Sequence, residues 1–516
     1  MMLLSGHASA RTGLDRRAVR PRNGTGSTDL RTLRGRLLAL VCCLAVLMVG
    51  LDSTALNVAL PDMQHPLHTS VSGMQWVIDV YNLVVAALII LAGSAGDRIG
   101  RRRIFCLGLL LFGLGSALCA LAATLQILIA CRVVQALGGV MIAPVSLSVI
   151  THSFTDTAQR SRAIGMWSAA FGTGLAVGPL VGGALVAADS WRSIFWINVP
   201  IALSTLVLTR RFVPESRSSE VRRTDVLGQL LVVVLLGALT YAIIEAPRRG
   251  WSAPPILPCL AAAAVALVAF AVWERTCPQP LVDLHFFRSV PFTGSAVISV
   301  ASFAALGGYL FVSTLYLQDV RGMSAFAAGL WMLPMPLMTV ACAPVAGRLS
   351  GSQGPRLPLV LAGGAMASSG LLMVVCHGQD RAVSLCLAYA LFGAGIGLVD
   401  VPATALAVAG MPRTRAGTAS AITMAACRIG VVLGVAIFGA VLSLGLTHGL
   451  HPGPGGRLAF TAAFGQAEQP IWWIVTGCGA AVALLGLCVT GTWARATAHR
   501  SAVALDTAPA AGHTRT

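Results

Sequence analysis

Residues 174–183 read GLAVGPLVGG, and this stretch decides how the rest of the chain is interpreted. Gly174, Gly178 and Gly182 recur every four residues, so in a helix they lie along one face. A face without side chains lets a neighbouring helix approach backbone to backbone, as small residues do in membrane helices. Pro179 removes one intrahelical hydrogen bond and bends the helix beside that face. The spacing predicts a bent membrane helix packed closely on a neighbour; ordinary helix packing is the alternative to a specific function.

The composition of the 516-residue chain, 56% apolar and 11% charged, is that of a membrane protein. Fourteen apolar runs each approach the ~20 residues that a membrane helix requires. The fold class predicted from them is an all-α integral membrane protein with 14 transmembrane helices. The 13 cysteines lie mostly inside these runs without metal-ligand spacing, so we expect no metal site and no disulfide. The chain contains no P-loop and no catalytic triad spacing, which argues against ATP drive and against an enzyme.

The basic residues predict the orientation of the chain. All 36 are arginine. With the N-terminus inside, 28 of them fall on cytoplasmic segments and six on external ones, and Arg132 and Arg428 lie within helices. This bias predicts a protein of the cytoplasmic (inner) membrane with both termini in the cytoplasm. The net charge of +17 is therefore a property of short loops, and we expect no nucleic-acid partner.

The chain contains an internal repeat. In GSAGDRIG at 93–100, Gly93, Asp97 and Gly100 are spaced by four and three residues, and Gly347, Gly351 and Gly354 in GRLSGSQG at 347–354 repeat that spacing. A second correspondence in spacing links one glycine triplet to another: Gly174, Gly178 and Gly183 with Gly430, Gly434 and Gly439. Two copies of a six-helix unit in parallel orientation are typical of one class of secondary transporter.

The predicted organisation is therefore two pseudo-symmetric six-helix bundles plus two inserted helices. Residues 1–36 form a disordered basic tail, and residues 37–211 form the first half. Residues 212–291 hold the two inserted helices with their cytoplasmic connectors. Residues 292–492 form the second half, and residues 493–516 form a disordered cytoplasmic tail.

Several motifs together resemble the fourteen-helix drug/proton antiporters of the major facilitator superfamily. Residues 51–61, LDSTALNVALP, resemble the L-D-x-T-x-x-N-V-A-L-P signature of that family, and residues 132–139, RVVQALGG, resemble its R-x-x-Q-G motif with Ala136 in place of glycine. Residues 93–105 resemble its cytoplasmic gating loop. The five residues Gly174, Gly178, Pro179, Gly182 and Gly183 match its antiporter motif. The resemblance covers nearly the whole chain apart from the two tails, and it implies proton-driven export.

Asp52 and Arg132 are the candidate proton-coupling residues. An acid inside a membrane helix is costly unless it faces a cavity or a partner, so it marks a functional site by default. Counted from the ends of the apolar runs, both residues lie about 11–12 Å deep on the outer side, at 1.5 Å per residue. We expect Arg132 to hold Asp52 ionised, or to relay to it, when the cavity faces outward. A permanent structural ion pair is the alternative.

The loop after the second helix is the candidate gating loop. Its residues are Gly93, Asp97, Arg98, Gly100, Arg101 and Arg102. An acid at this helix end can interact with the positive N-terminus of a neighbouring helix and with cytoplasmic arginines, and so latch the two halves in one state. Gly351 and Ser352 stand where the repeat would place Asp97 and Arg98, so we expect only one charged latch. Anchoring by the positive-inside effect is the alternative.

Three further charged residues lie within apolar runs. Asp400 and Arg428 form a candidate buried pair, because lone charges in lipid are disfavoured, and a substrate contact is the alternative. Their estimated depths from the cytoplasmic side differ, at ~12 Å and ~18 Å. Asp79 lies only about four residues inside the second helix, so we expect it to face the outer vestibule.

These observations predict proton-coupled export of a hydrophobic or amphipathic drug or antibiotic by alternating access. Uptake or exchange of a polar metabolite by the same fold is the alternative function. The implied partners are a small-molecule substrate and the lipid bilayer. We expect a monomer with no cofactor beyond the coupling protons.

Overall fold

A computed structural model of the protein describes residues 29–64, 66–217, 225–277, 280–375, 382–409, 411, 416–449 and 456–507. Within these ranges the regular structure is helical, and 14 segments are long and apolar enough to cross a membrane. The predicted fold class is confirmed. Residues 1–28 of the predicted N-terminal tail lie outside the described ranges.

The first half contains seven helices that form six spans. They are α1 Leu33–Gln64, α2 Val71–Ile99, α3 Arg101–Ala120, α4 Leu125–Ser153, α5 Thr157–Ala188, α6 Arg192–Trp196 and α7 Asn198–Phe212. The inserted pair consists of α8 Val226–Arg249 and α9 Ile256–Thr276. A 3-10 turn, Leu284–Arg288, leads from the pair into the second half.

The second half contains a further seven helices in six spans. They are α10 Val290–Leu315, α11 Ala325–Met332, α12 Pro334–Gln353, α13 Arg356–Val375, α14 Ala382–Val408, α15 Ala416–Gly449 and α16 Gly456–Cys488. A π-helical turn, Tyr316–Val320, extends α10 at its C-terminal end. A last helix, α17 Thr492–Thr507, comes after the final span.

Side-chain caps set where several of these helices begin. In each case a side-chain oxygen accepts a hydrogen bond from the backbone N–H three residues later, which satisfies one of the unpaired donors of the first turn. The capping residues are Ser70, Thr124, Asp156, Asp225 and Ser324. Short polar residues at the edges of the apolar runs therefore fix the helix starts.

The two halves repeat the same helix contacts. In the first half α1 packs on α5, α2 packs on α4, and α3 packs on α4 and α7. In the second half α10 packs on α15, α12 packs on α14, and α13 packs on α14 and α16. Each of these four contacts of the first half therefore has its counterpart in the second.

The inserted helix α8 lies across the seam between the halves. It contacts α2 from the first half and α15 from the second, besides its partner α9. The Gln229 amide donates a hydrogen bond to the Ala87 carbonyl on α2. Elsewhere along the contact between these two helices, the Trp76 ring on α2 and the Tyr241 ring on α8 have centroids 6.1 Å apart.

The C-terminal segment differs from the prediction. Residues 493–516 were expected to be disordered, but Thr492–Thr507 form α17, which packs on α10. The Thr497 hydroxyl accepts a hydrogen bond from the Val290 backbone N–H at 3.1 Å, and Ala494 and Ala498 are buried. Low hydropathy here belongs to a helix lying on the protein surface, so the prediction of disorder was wrong for this stretch.

Candidate functional site

The glycine face predicted in α5 lies directly against α1. Gly174, Gly178 and Gly182 are all buried there. A methyl group at Gly178 would lie 3.0 Å from the Leu51 carbonyl oxygen, and one at Gly182 would lie 2.7 Å from the Ala55 carbonyl oxygen. Since both contacts are with backbone atoms of α1, only glycine allows the two helices to approach this closely.

The remaining residues of the motif face the second half. A methyl group at Gly183 would lie 2.8 Å from Phe326 Cα on α11. In the opposite direction, a methyl group at Gly329 on α11 would lie 3.0 Å from the Pro179 carbonyl carbon. The α5 motif therefore has two contact surfaces, one holding α1 within its half and one meeting α11 across the halves.

The corresponding glycines of α15 repeat this arrangement. Gly430 and Gly434 face α10, where a methyl group at Gly430 would lie 2.6 Å from the Val300 carbonyl oxygen. Gly439 faces the other half, where a methyl group would lie 2.9 Å from Gln75 Cγ on α2. The repeat seen in glycine spacing is thus also a repeat in contacts.

A buried ion pair lies beside the glycine face. Arg132 Nη1 on α4 is 2.9 Å from Asp52 Oδ2 on α1, and the two side chains are 2% and 0% exposed. The Gln135 and Asn198 amides each donate to Asp52 Oδ1 at 2.8 Å. An ionised carboxylate only accepts hydrogen bonds, so three donors around it match its charged form.

Arg132 is held on several sides. Its Nε donates to the Val77 carbonyl on α2 at 3.2 Å, and its Nη1 donates to Gln135 Oε1 at 2.7 Å. The guanidinium carbon lies 4.5 Å from the centre of the Tyr81 ring, in cation–π geometry. Gln135 Nε2 also donates to Ser116 Oγ at 2.9 Å. Helices α1, α2, α3, α4 and α7 therefore meet in one network.

The second half has an aromatic cluster at the equivalent place. Tyr309 has the same position in α10 as Asp52 has in α1, counted from the first residue of each helix. Tyr389 in α14 corresponds to Arg132 in α4 in the same way. The Tyr309 ring stacks on Phe392 with centroids 4.1 Å apart and contacts Tyr389 with centroids 5.7 Å apart. The network around Asp52 is therefore not duplicated.

The predicted gating loop is bound to its own half. Asp97 Oδ1 is 2.9 Å from Arg101 Nη2. Glu215, just after α7, accepts from the Arg102 backbone N–H at 3.1 Å and lies 3.6 Å from Arg103 Nε. Gly100 has φ 127°, a conformation that other residues rarely adopt. A latch to the second half through Asp97 is not among the described contacts.

Three polar residues of this region were given no role from the sequence. Gln135 stands inside the stretch 132–139 that resembles a family motif, Asn198 is the first residue of α7, and Glu215 lies in a charged connector. The sequence does not show which neighbouring helix a polar side chain in a membrane helix contacts. For Asn198, an amide two residues before a proline in an apolar run was the available signal.

Substitutions in the gating loop and in its repeat in the second half should have different effects on transport. The latch hypothesis requires the charge on Asp97 in a state where the cytoplasmic ends of the halves meet, so we expect Asp97→Ala to lower turnover about tenfold or more, in the range of a state-coupling energy; the i,i+4 ion pair with Arg101 alone is worth much less. Gly351→Ala in the second copy should leave turnover near that of the parent, because a methyl group there has open space. Initial transport rates at matched expression measure both. Equal losses from the two changes would contradict a latch at Asp97.

The comparison with known proteins adds the family. The sequence profile described as Major Facilitator Superfamily matches residues 42–435, more than half of the chain. This protein belongs to the Major Facilitator Superfamily. It is a transporter, and not an enzyme.

Relatives of this transporter carry names of resistance and export. It is 37% identical over 420 residues to the multidrug resistance protein Stp of Mycobacterium tuberculosis, covering 81% of this chain and 78% of Stp. It is 36% identical to a methylenomycin A resistance protein of Streptomyces coelicolor, covering 77% and 83% of the two chains. It is 34% identical to the tetracenomycin C resistance and export protein of Streptomyces glaucescens, covering 82% and 79%.

Solved structures of the superfamily share the fold. A bacterial homologue of the lysosomal transporter Spinster, inward-facing and unoccupied, aligns with TM-score 0.63 at 19% identity, covering 91% of this chain and 98% of that one. A D-xylose–proton symporter aligns with TM-score 0.61 at 16% identity, covering 88% and 97%. At such identities the likeness extends to the fold alone.

The predicted pair of Asp400 and Arg428 is not formed in this transporter. Arg428 Nη1 on α15 donates instead to Asn82 Oδ1 on α2 at 3.4 Å. The Asp400 side chain on α14 is exposed, and no ion pair among the described residues includes it. The difference in estimated depth already separated the two residues by about one helical turn. The prediction of a pair was wrong, and a substrate contact at Asp400 stays a prediction.

Asp79 is buried in this structure, and its predicted place in an outer vestibule stays a prediction. Its side chain is 0% exposed, and Gln75 and Asn82 on the same face of α2 bond to α15 of the second half. Because α2 begins at Val71, four residues before the apolar run, Asp79 lies further from the helix end than estimated. Distance from a helix end also does not show which neighbour covers a residue.

The two halves meet on the side predicted to be external. Gln318, in the π-helical turn of α10, donates to the Val58 carbonyl on α1 at 2.8 Å. Gly183 lies against Ala325, and Gln75 donates to two carbonyls of α15. All of these contacts lie toward the ends of the helices that the arginine bias places outside. The structure is therefore closed on that side.

Proposed function

We propose that this transporter exports a hydrophobic or amphipathic drug or antibiotic in exchange for protons, by alternating access. The observation that carries the proposal is the buried carboxylate of Asp52, held by Arg132 at 2.9 Å inside a membrane helix. Such a pair is expensive to bury, and a polar cavity or a functional role explains its presence better than packing does. The names of the resistance and export relatives support the choice of substrate class.

The proposed cycle alternates the charge on Asp52. With the outer side closed, the carboxylate is ionised and accepts from Arg132, Gln135 and Asn198. Opening to the outside admits water and a proton, and a neutral carboxyl no longer balances the guanidinium. The weakened pair then allows the halves to swing back. The ion pair is thus also formed in the outer-closed state, whereas the sequence analysis expected it when the cavity faces outward.

The protein would lie in the cytoplasmic membrane with both termini in the cytoplasm, as the arginine bias predicts. The substrate would enter a cavity between the halves from the cytoplasm and leave to the outside. The coupling ion is the proton, and no cofactor takes part. We propose a monomer as the functional unit, since each half finds its partner within the same chain.

Everted membrane vesicles test the function. A susceptibility panel on a pump-deficient host first selects a compound to which this chain confers resistance. In vesicles with an interior-acid gradient, that compound should dissipate the gradient and accumulate inside. Uptake of a polar metabolite would instead appear as accumulation in right-side-out cells. Accumulation in the everted vesicles that persists after the proton gradient is collapsed would contradict proton coupling.

A further inference from the structure

We propose that Asp79 is a second proton-binding group, and that its neutral form seals the outer contact between the two halves. The proton would come from the outer solution as the contact closes and return there as it opens. The proposal rests on the alternating access proposed above, but it is independent of the role of Asp52.

Asp79 belongs to a polar stripe that joins α2 to α15. Gln75, Asp79 and Asn82 are spaced by four and three residues, so they share one helix face. Gln75 Nε2 donates to the Val435 and Ala436 carbonyls at 2.9 and 3.0 Å. Asn82 accepts from Arg428, which also lies on α15. The stripe therefore lies at the boundary that must part when the outer side opens.

Within this stripe Asp79 differs from its neighbours. Its side chain is 0% exposed, and neither carboxylate oxygen meets a hydrogen-bond partner among the described residues. An ionised carboxylate without a donor is far more costly to bury than a neutral carboxyl group. The closed contact therefore accommodates the protonated side chain and disfavours the charged one.

Among the described residues, no charged or titratable group of the neighbouring helices forms a hydrogen bond or ion pair with Asp79. From the helices packed around α2 these groups are Asp52, Arg132, Arg428, Cys427, Tyr241 and Glu245, with Tyr81 on α2 itself. Arg132 binds Asp52, and Glu245 binds Arg248 and Arg249 at 3.5 and 2.9 Å. Arg428 donates to Asn82 among the described contacts, and not to Asp79. No cation among the described residues forms an ion pair with Asp79.

The consequence is a gate that responds to the pH outside. When α2 parts from α15, water reaches Asp79, and an ordinary aspartic acid in water is ionised near neutral pH. Closure then requires that a proton be taken up again from the outer solution. Acid outside would therefore favour the outer-closed state. In that state Asp52 is held in its charged form and Asp79 in its neutral form, so the two acids have opposite tasks.

Spin-label distances across the outer side test this proposal without any substrate. Leu121 at the end of α3 and Val383 at the start of α14 are 67% and 79% exposed, and they belong to opposite halves. With both changed to cysteine and the native cysteines replaced, double electron–electron resonance in nanodiscs reports opening between pH 6 and pH 9. We expect the parent to shift toward longer distances at pH 9.

Asp79→Asn keeps the shape of the neutral acid, so it should hold the short distance at pH 9, with at least a tenfold loss in the open-to-closed ratio. Asp79→Leu serves as a second variant in case Asp79→Asn does not fold. It also lacks a charge, so it should likewise hold the short distance at pH 9. Asp189→Asn, at an exposed acid on the same side, should respond like the parent. A parent without pH response, or an Asp79→Asn protein that opens like the parent, would overturn the proposal.

Asp52→Asn in the same assay separates this idea from the proposed function. We expect that variant to retain an outer-side pH response while losing proton-driven export. If the response vanishes in Asp52→Asn and persists in Asp79→Asn, then Asp52 governs the gate alone and the assignment of Asp79 is wrong. If coupled export is lost while the pH-dependent outer-side distance still depends on Asp79, the assignment of Asp79 is supported independently of the proposed function.

Discussion

Asp52→Asn should reduce export driven by a pH gradient by about 100-fold, near the upper end of the usual range for a coupling free energy. The amide cannot gain or release a proton, and it leaves Arg132 without its counter-charge at 2% exposure. Proteoliposomes with an imposed gradient measure the effect on a compound chosen from the susceptibility panel. Thermal unfolding should also show a loss of stability, because the remaining guanidinium is buried unpaired.

Tyr309→Phe is the matched control for this change. Tyr309 occupies the corresponding place in the second half, and its hydroxyl makes a 3.3 Å contact with Ser369 Oγ. Removing that hydroxyl leaves the ring stacking intact and should alter export less than threefold, as expected for one neutral hydrogen bond of about 0.5 kcal/mol. Undiminished gradient-driven export by Asp52→Asn would remove Asp52 from the coupling mechanism.

Gly182→Leu should abolish most transport, with at least a tenfold loss at matched expression. Its side chain would begin 2.7 Å from the Ala55 carbonyl oxygen and 2.9 Å from Ala55 Cα, so α5 would have to move away from α1. Overpacking against yielding side chains costs about 1–3 kcal/mol, and backbone atoms of a helix yield less than side chains do. Initial export rates and the yield of monodisperse protein together measure the loss.

The same helix offers a control for hydrophobicity and helix propensity. Gly172 has no atom within 4 Å of the position where a side chain would start. Gly172→Leu adds the same residue to α5 without contact with α1, so its export should stay within twofold of the parent. If Gly172→Leu and Gly182→Leu fail equally, close packing on α1 is not the reason for the glycine motif.

The successful predictions came from properties that a sequence displays directly. Hydropathy and length identified the 14 spans, since a membrane requires apolar helices of a fixed minimum length. The glycine spacing identified the face of α5 that approaches α1. Asp52 and Arg132 were paired because each is a charge in an apolar run and their estimated depths agree. Because charged residues are rare in these helices, the pair could be predicted from the sequence.

The failures share one physical cause: depth along a helix was used without knowledge of its rotation. Arg428 turned out to face Asn82 on α2, while Asp400 is exposed on α14. Asp79 lies on the α2 face whose residues Gln75 and Asn82 bond to α15, a helix that begins more than 300 residues later in the chain. Contacts between distant helices depend on the packing of the whole bundle, and no local pattern encodes them. Asn198 was missed for the same reason.

The π-helical turn at the end of α10 has a mechanical consequence. Such a turn holds one residue more than a turn of α-helix, and rewinding it would rotate the next segment of the chain by about 100°. Gln318 lies in the middle of this turn and bonds to Val58 of the other half. A local change in winding could therefore break a bond between the halves while the rest of α10 keeps its place. Inserting or deleting one residue here should lock the winding and bias the molecule toward one state.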